Sequence, residues 1–202
     1  MTGGRVPSWL DAADDGQTPL DPDEAGELRL AWVSTRGDLN SAEATNITQG
    51  MRWAERQVQS GVAVHTDHFL RELHLRLFGQ VWGWAGRYRT TERNIGIAPA
   101  EISTALRHLF DDVSAWQEFN SYPLDERAAR LHHRLTWIHP FPNGNGRTAR
   151  ATADLFLRAN GAPPFPMGAA TLPPAEARAR YLEAIRAADA HDLTPLLAFV
   201  RS

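Results

Sequence analysis

The chain has 202 residues, 43% of them hydrophobic and 22% charged, enough to bury the core of one domain without disulfide or metal staples. It has no Cys and no Lys, which excludes thiolate zinc sites, a Cys nucleophile, a Schiff-base Lys and a P-loop, so any phosphate must be held by Arg and backbone N–H groups. A net charge of −3 with scattered Arg argues against direct nucleic-acid binding, and no apolar run suits a membrane span or a signal core, so a cytoplasmic protein is expected.

Residues 1–22, rich in Gly, Pro and Asp, read as a flexible arm that docks through Trp9 and Leu10; residues 23–202 read as one domain. A helix is predicted over 41–59, capped by Ser41, with Ile47, Met51, Trp53 and Ala54 inward and Gly61 closing it. The next begins at Thr66 or Asp67, carries Phe69, Leu70, Leu73, Leu77 and Phe78 as a buried stripe, and ends at Gly79. Met and Trp positions read as core. Tyr88–Thr91 and Asn94–Ile97 are short, β-branched or aromatic, and predict a small surface hairpin. Helices then follow from Pro99 through Trp116, from Asp125 to Ile138, from about Asn145 to Asn160-Gly161, from Pro173-Pro174 to Ala190, and over Thr194–Val200. Helices dominate, so the fold class is mainly α.

Between Ile138 and the following helix lies H-P-F-P-N-G-N-G-R-T-A-R, residues 139–150. Gly144 and Gly146 allow a sharp turn and close approach of a ligand. Unpaired N–H groups at the helix start, with its dipole, form an anion cradle. Arg147 and Arg150, three residues apart, share a helix face and suit a polyphosphate. Two cations there oppose the dipole unless something anionic offsets them. His139 at the rim can accept a proton from a hydroxyl. Base, cradle and cations are the parts of a phosphoryl or nucleotidyl transfer site.

The segment resembles the Fic signature, His-x-Phe-x-(Asp/Glu)-Gly-Asn-Gly-Arg-x-x-Arg, at every fixed position except Asn143. LFGQVWGWAGRYR, NIGIAPAEI and YLEAIRAADAHDLTPLLAFV look like the family's tryptophan turn, flap and closing helices. LDPDEAGEL and STRGDLNSAEATNI resemble the subgroup called mobile mystery protein B. The resemblance implies a Fic-type helical fold with a small β-hairpin flap, and AMP transfer from ATP to a Ser, Thr or Tyr hydroxyl of a protein target. It implies His139 as the base and Phe141 as the loop's anchor. Gly144, Asn145, Gly146, Arg147 and Arg150 would hold phosphates, and Arg89, Thr90, Thr91, Asn94, Ile95 and Gly96 would form a flap that docks the target by strand addition.

Asn143 stands where the family has the acid expected to bind Mg²⁺. An amide offers one neutral oxygen, so a weak Mg²⁺ held through phosphates and water, a different phosphate-linked donor, and a slow or inactive enzyme all follow from it. The alternative to an enzyme is a Fic-fold nucleotide-binding module without catalysis. The family's inhibitory Ser/Thr-x-x-x-Glu-Gly/Asn is missing from the chain, and the subgroup implies a separate small helix-turn-helix, antitoxin-like regulator. His65, His68, His132 and His133 have no zincin spacing and read as surface or helix-packing residues.

Overall fold

The computed structural model describes residues 25–169 and 171–202, so the predicted N-terminal arm with Trp9 and Leu10 lies outside the described residues. These form seven α-helices: α1 (Arg36–Gln59), α2 (Asp67–Phe78), α3 (Ile102–Glu118), α4 (Leu124–Ile138), α5 (Asn145–Ala159), α6 (Pro174–Asp189) and α7 (Thr194–Val200), with a 3₁₀ turn at Pro99–Glu101. The mainly α class is observed. Among the described residues the one β-bridge joins Leu28 and Trp82, and no helix is long and apolar enough to cross a membrane.

The first helix begins earlier than the 41–59 pattern predicts. Thr35 caps it: its hydroxyl accepts from Asp38 N–H at 3.1 Å, and the Asp38 carboxylate accepts from Thr35 N–H at 3.0 Å. This reciprocal capping box supplies the start signal at Thr35, ahead of the expected cap at Ser41. The second helix starts at Thr66, whose hydroxyl accepts from Phe69 N–H at 3.1 Å. Its stripe of Phe69, Leu70, Leu73, Leu77 and Phe78 is buried as expected.

The two central helices, α4 and α5, pack along each other. The α1–α2 pair lies on one side, with α3 and α6–α7 completing the shell. Phe78, Phe141, Leu131, Leu135 and Phe156 are fully buried at their junction. Burying a side chain of that size contributes about 1.5–3 kcal/mol. The loop between α4 and α5 is therefore held in the core, not at the surface. Trp82 and Trp84 stack at 5.2 Å and are buried. Reading every Trp as core fails at Trp32 and Trp137, which are 60% and 40% exposed.

The predicted hairpin at 88–97 does not form: the segment has no strand pairing. The segment is instead gathered around Arg89, whose guanidinium donates to the carbonyls of Thr91 (3.0 Å) and Ile97. The β-branched and aromatic content of the two short runs does not report this buried cation, around which the segment's carbonyls are gathered.

Candidate active site

Helix α4 ends one residue before His139, which adopts φ 54° and ψ 58°. This left-handed conformation costs a non-glycine residue about 1–2 kcal/mol. It turns the chain so that Pro140 and Phe141 enter the core. His139 is 7% exposed, and its Nδ1 lies 3.3 Å from the Thr136 carbonyl. That contact places the proton of the neutral ring on Nδ1 and the lone pair on Nε2. Burial pushes the His139 pKa down to about 4, opposed by the Thr136 bond and assisted by the charges of Arg89 and Arg93.

Two side chains set the loop. Phe141 is fully buried and stacks on the His74 ring at 3.7 Å, with Tyr88 at 5.5 Å. His74 accepts from Gly86 N–H at 2.9 Å, so its other nitrogen donates to the Asn143 carbonyl at 3.0 Å. Burial holds its pKa down to about 3, keeping it neutral in this role. His74 was missed in the sequence. The available signal was a polar residue inside the α2 apolar stripe, one helical turn from both Leu70 and Phe78. Asn145 closes the loop: its Oδ1 accepts from Phe141 N–H and its Nδ2 donates to the Phe141 carbonyl, both at 2.8 Å. Its side chain is thus spent on the loop, and only its main chain faces the cradle.

Gly144 caps α5 at φ +75°, and a Cβ there would lie 2.7 Å from the Phe78 ring. Gly146 differs. Its φ is not positive, and a Cβ there would meet nothing within 4 Å. In a helix, Gly costs about 1 kcal/mol relative to Ala, so the fold gives no reason for it. No side chain caps the start of α5, which leaves its first N–H groups beside that open space.

Arg147 and Arg150, three residues apart on α5, have different neighbours. Arg147 lies 4.6 Å over the Phe78 ring and pairs with Glu43 of α1 at 2.5 Å. Glu43 in turn accepts from Trp82 Nε1–H at 2.7 Å. This chain of contacts pre-orients Arg147 while leaving its side chain 43% exposed. Nothing in the local sequence linked position 43 to position 147. Arg150 is exposed and makes no hydrogen bond or ion pair among the described residues; its charge reaches His132, Asp154 and Tyr181 instead.

Of the expected flap residues, Thr90, Thr91, Asn94, Ile95 and Gly96 are exposed, whereas Arg89 is 3% exposed. The segment lies against His139: a Cβ on Gly96 would be 2.6 Å from His139 Cβ. A cavity of about 210 Å³ opens there, lined by Ile95, Ile97, Thr136, Trp137, Ile185 and Asp189. A larger one, about 520 Å³, sits where Asp67, Arg71, Tyr88, Arg107 and Asp111 meet; neither cavity is lined by a residue of the 139–150 motif. The smaller cavity adjoins His139 through Gly96.

No group of three or more His, Asp or Glu among the described residues can hold a metal. The Asn143 Oδ1 accepts from Gly144 N–H at 2.7 Å, so the one oxygen at that position is turned back onto the loop. The residues present do not fit a protein-bound Mg²⁺. His132 bonds Tyr181 at 3.0 Å and His133 bonds Asp189 at 2.8 Å, the packing role expected for them.

The fold buries a His-tipped, glycine-rich loop ahead of a helix that carries Arg147 and Arg150. Residues 65–157 match the Fic/DOC family: the chain carries a Fic/DOC family domain, and its homologues include Fic protein adenylyltransferases. It is similar to protein adenylyltransferase fic-1 of Caenorhabditis elegans, 34% identical over 134 residues, which is 64% of this chain and 25% of that protein. It is also similar to protein adenylyltransferase Fic of Nematostella vectensis, 30% identical over 180 residues, 86% of this chain and 40% of that protein. The chain therefore spans well under half the length of these curated relatives. A Fic domain containing signalling protein from Bacteroides thetaiotaomicron superposes with a TM-score of 0.68 at 22% identity, over 86% of this chain and 71% of that one, which shows the Fic-type fold.

Proposed function

We propose that this protein is an adenylyltransferase that moves AMP from ATP onto a Ser, Thr or Tyr hydroxyl of a protein target. The observation that carries the reading is Gly146. It stands at an uncapped helix start, with open space where its side chain would be, and neither backbone angle nor packing asks for glycine. A phosphate group approaching the backbone does.

In the proposed reaction His139 Nε2 takes the proton of the target hydroxyl. The hydroxyl oxygen forms a bond to the α-phosphorus as the bond to the bridging oxygen breaks, and pyrophosphate leaves. The N–H groups of Gly146 and Arg147, with the Arg147 and Arg150 guanidiniums, offset the charge on the departing phosphates. The phosphates also favour protonated imidazole, which lifts the pKa of His139 from its depressed value and makes it a better base. Because Asn143 adds no charge, we infer that Mg²⁺ arrives on ATP and is held through phosphates and water. The 88–97 segment presents the target through Thr90, Thr91, Asn94, Ile95 and Gly96. From the resemblance to the mobile mystery protein B subgroup we further infer a separate small helix-turn-helix partner, and a cytoplasmic protein.

The test is transfer of label from α-labelled ATP into protein, with a cell lysate, with and without Mg²⁺, beside His139→Ala. Label that disappears in His139→Ala supports the reading. Nucleotide binding with no label from α- or γ-labelled ATP or other nucleotides would replace it with a non-catalytic nucleotide-binding module.

A further inference from the structure

Resting on that reading of His139, we propose that Arg89 is a positioning residue for it, tying the left-handed base and the target-docking segment together through backbone carbonyls. Its Nε donates to the His139 carbonyl at 2.7 Å, and its Nη2 reaches the Ile138 carbonyl at 3.4 Å. The same guanidinium holds Thr91 and Ile97, and Arg89 N–H donates to the Pro140 carbonyl at 2.9 Å. One side chain therefore caps the end of α4, stabilises the reversal at 139 and sets the height of the 88–97 segment over the imidazole.

Two costs meet here, and the fold alone explains neither. Arg89 is a cation at 3% exposure whose guanidinium bonds only carbonyls among the described residues, with the charge of Glu92 nearby as partial compensation, and a buried charge so held is expensive. The left-handed helix end is occupied by His, where Gly is the cheaper residue. Each compensates the other: the helix terminus and its carbonyls favour a cation, and the cation holds the strained residue. The product is an imidazole fixed in place and surrounded by positive charge. The charges of Arg89 and Arg93 from the 88–97 segment act on its ring, and the Thr136 carbonyl of α4 lies against its Nδ1; Asp189 of α6 lines the adjoining cavity.

The experiment uses the full chain with Arg89→Lys and Arg89→Gln. Folding is checked by thermal unfolding, ATP transfer gives kcat and KM, and NMR follows the His139 ring, assigned by its loss in His139→Ala. Lys keeps the charge but not the four-carbonyl fork. A misplacement of about 1 Å costs roughly 100-fold in rate, so kcat should fall about 10- to 100-fold in both variants. KM for ATP should stay within about threefold, because Arg89 is not in the phosphate cradle. The His139 titration midpoint should rise by roughly one unit in Arg89→Gln, and by less in Arg89→Lys. A folded Arg89→Gln with wild-type kcat and an unmoved midpoint overturns the proposal. Failure of both variants to fold also overturns it, since Arg89 is then a scaffold residue only. If the wild type transfers no AMP yet the midpoint moves as stated, the transfer reading fails and the Arg89–His139 tie stands.

Discussion

Asn145→Ala tests how the motif loop is built. The wild-type amide satisfies both backbone groups of fully buried Phe141, each at 2.8 Å. Alanine leaves one donor and one acceptor unmatched in a space that water does not readily reach. Each orphaned buried group costs about 1–3 kcal/mol, so the loss should be about 4 kcal/mol. For a chain of this size that corresponds to a fall in Tm of roughly 10 °C. Asn145→Asp is the companion variant. It keeps the bond from Phe141 N–H but sets a carboxylate oxygen against the Phe141 carbonyl, so it should be destabilised at least as much. Thermal and urea unfolding measure both, and ATP binding should weaken in each because Gly144 and Gly146 follow from the loop's course. If Asn145→Ala unfolds within about 1 kcal/mol of wild type, its amide is not the staple of this loop and the main role of Asn145 lies with the ligand.

The other predictions concern charge, glycine and pH. Asn143→Asp keeps the contact with Gly144 N–H and adds a carboxylate, so Mg²⁺-dependent AMP transfer should rise several-fold; a rate equal to or below wild type in saturating Mg²⁺ would show that the metal position is not what limits the protein. Gly144→Ala meets Phe78 in a left-handed conformation and should cost about 2–3 kcal/mol in urea unfolding. Gly146→Ala should leave stability equal or slightly higher while weakening ATP binding at least tenfold, and undiminished affinity by calorimetry would remove the argument that this glycine serves a phosphate. Burial holds His74 near pKa 3 and His132 and His139 near 4. The unfolded chain, near 6.5, therefore binds more protons as pH falls. Their contribution is intact above about pH 6.5 and is lost towards pH 4, by roughly 2 kcal/mol per histidine at pH 5. Urea unfolding at pH 7 and pH 5 checks this, and a total loss below about 2 kcal/mol would contradict their burial as neutral groups.

Short-range signals carried much of this protein in its sequence. Thr66, Gly79, Asn160-Gly161 and the 3.6-residue apolar stripes mark helices because capping and amphipathic burial act within a turn or two. The 139–150 motif placed a base, a glycine turn and two cations in one short stretch, and the structure keeps them in one loop and helix start. Tertiary structure alone decided what surrounds them. Glu43 meets Arg147 because α1 packs beside α5, His74 braces Asn143 across 69 residues, and Arg89 spans 50 residues to reach His139. The hairpin expected at 88–97 is not observed: β-branched and aromatic content is a local signal, whereas this segment's carbonyls gather around a guanidinium that also reaches His139. Periodicity reports which face of an element is apolar, but the partner of a buried polar group is set by how the chain returns on itself.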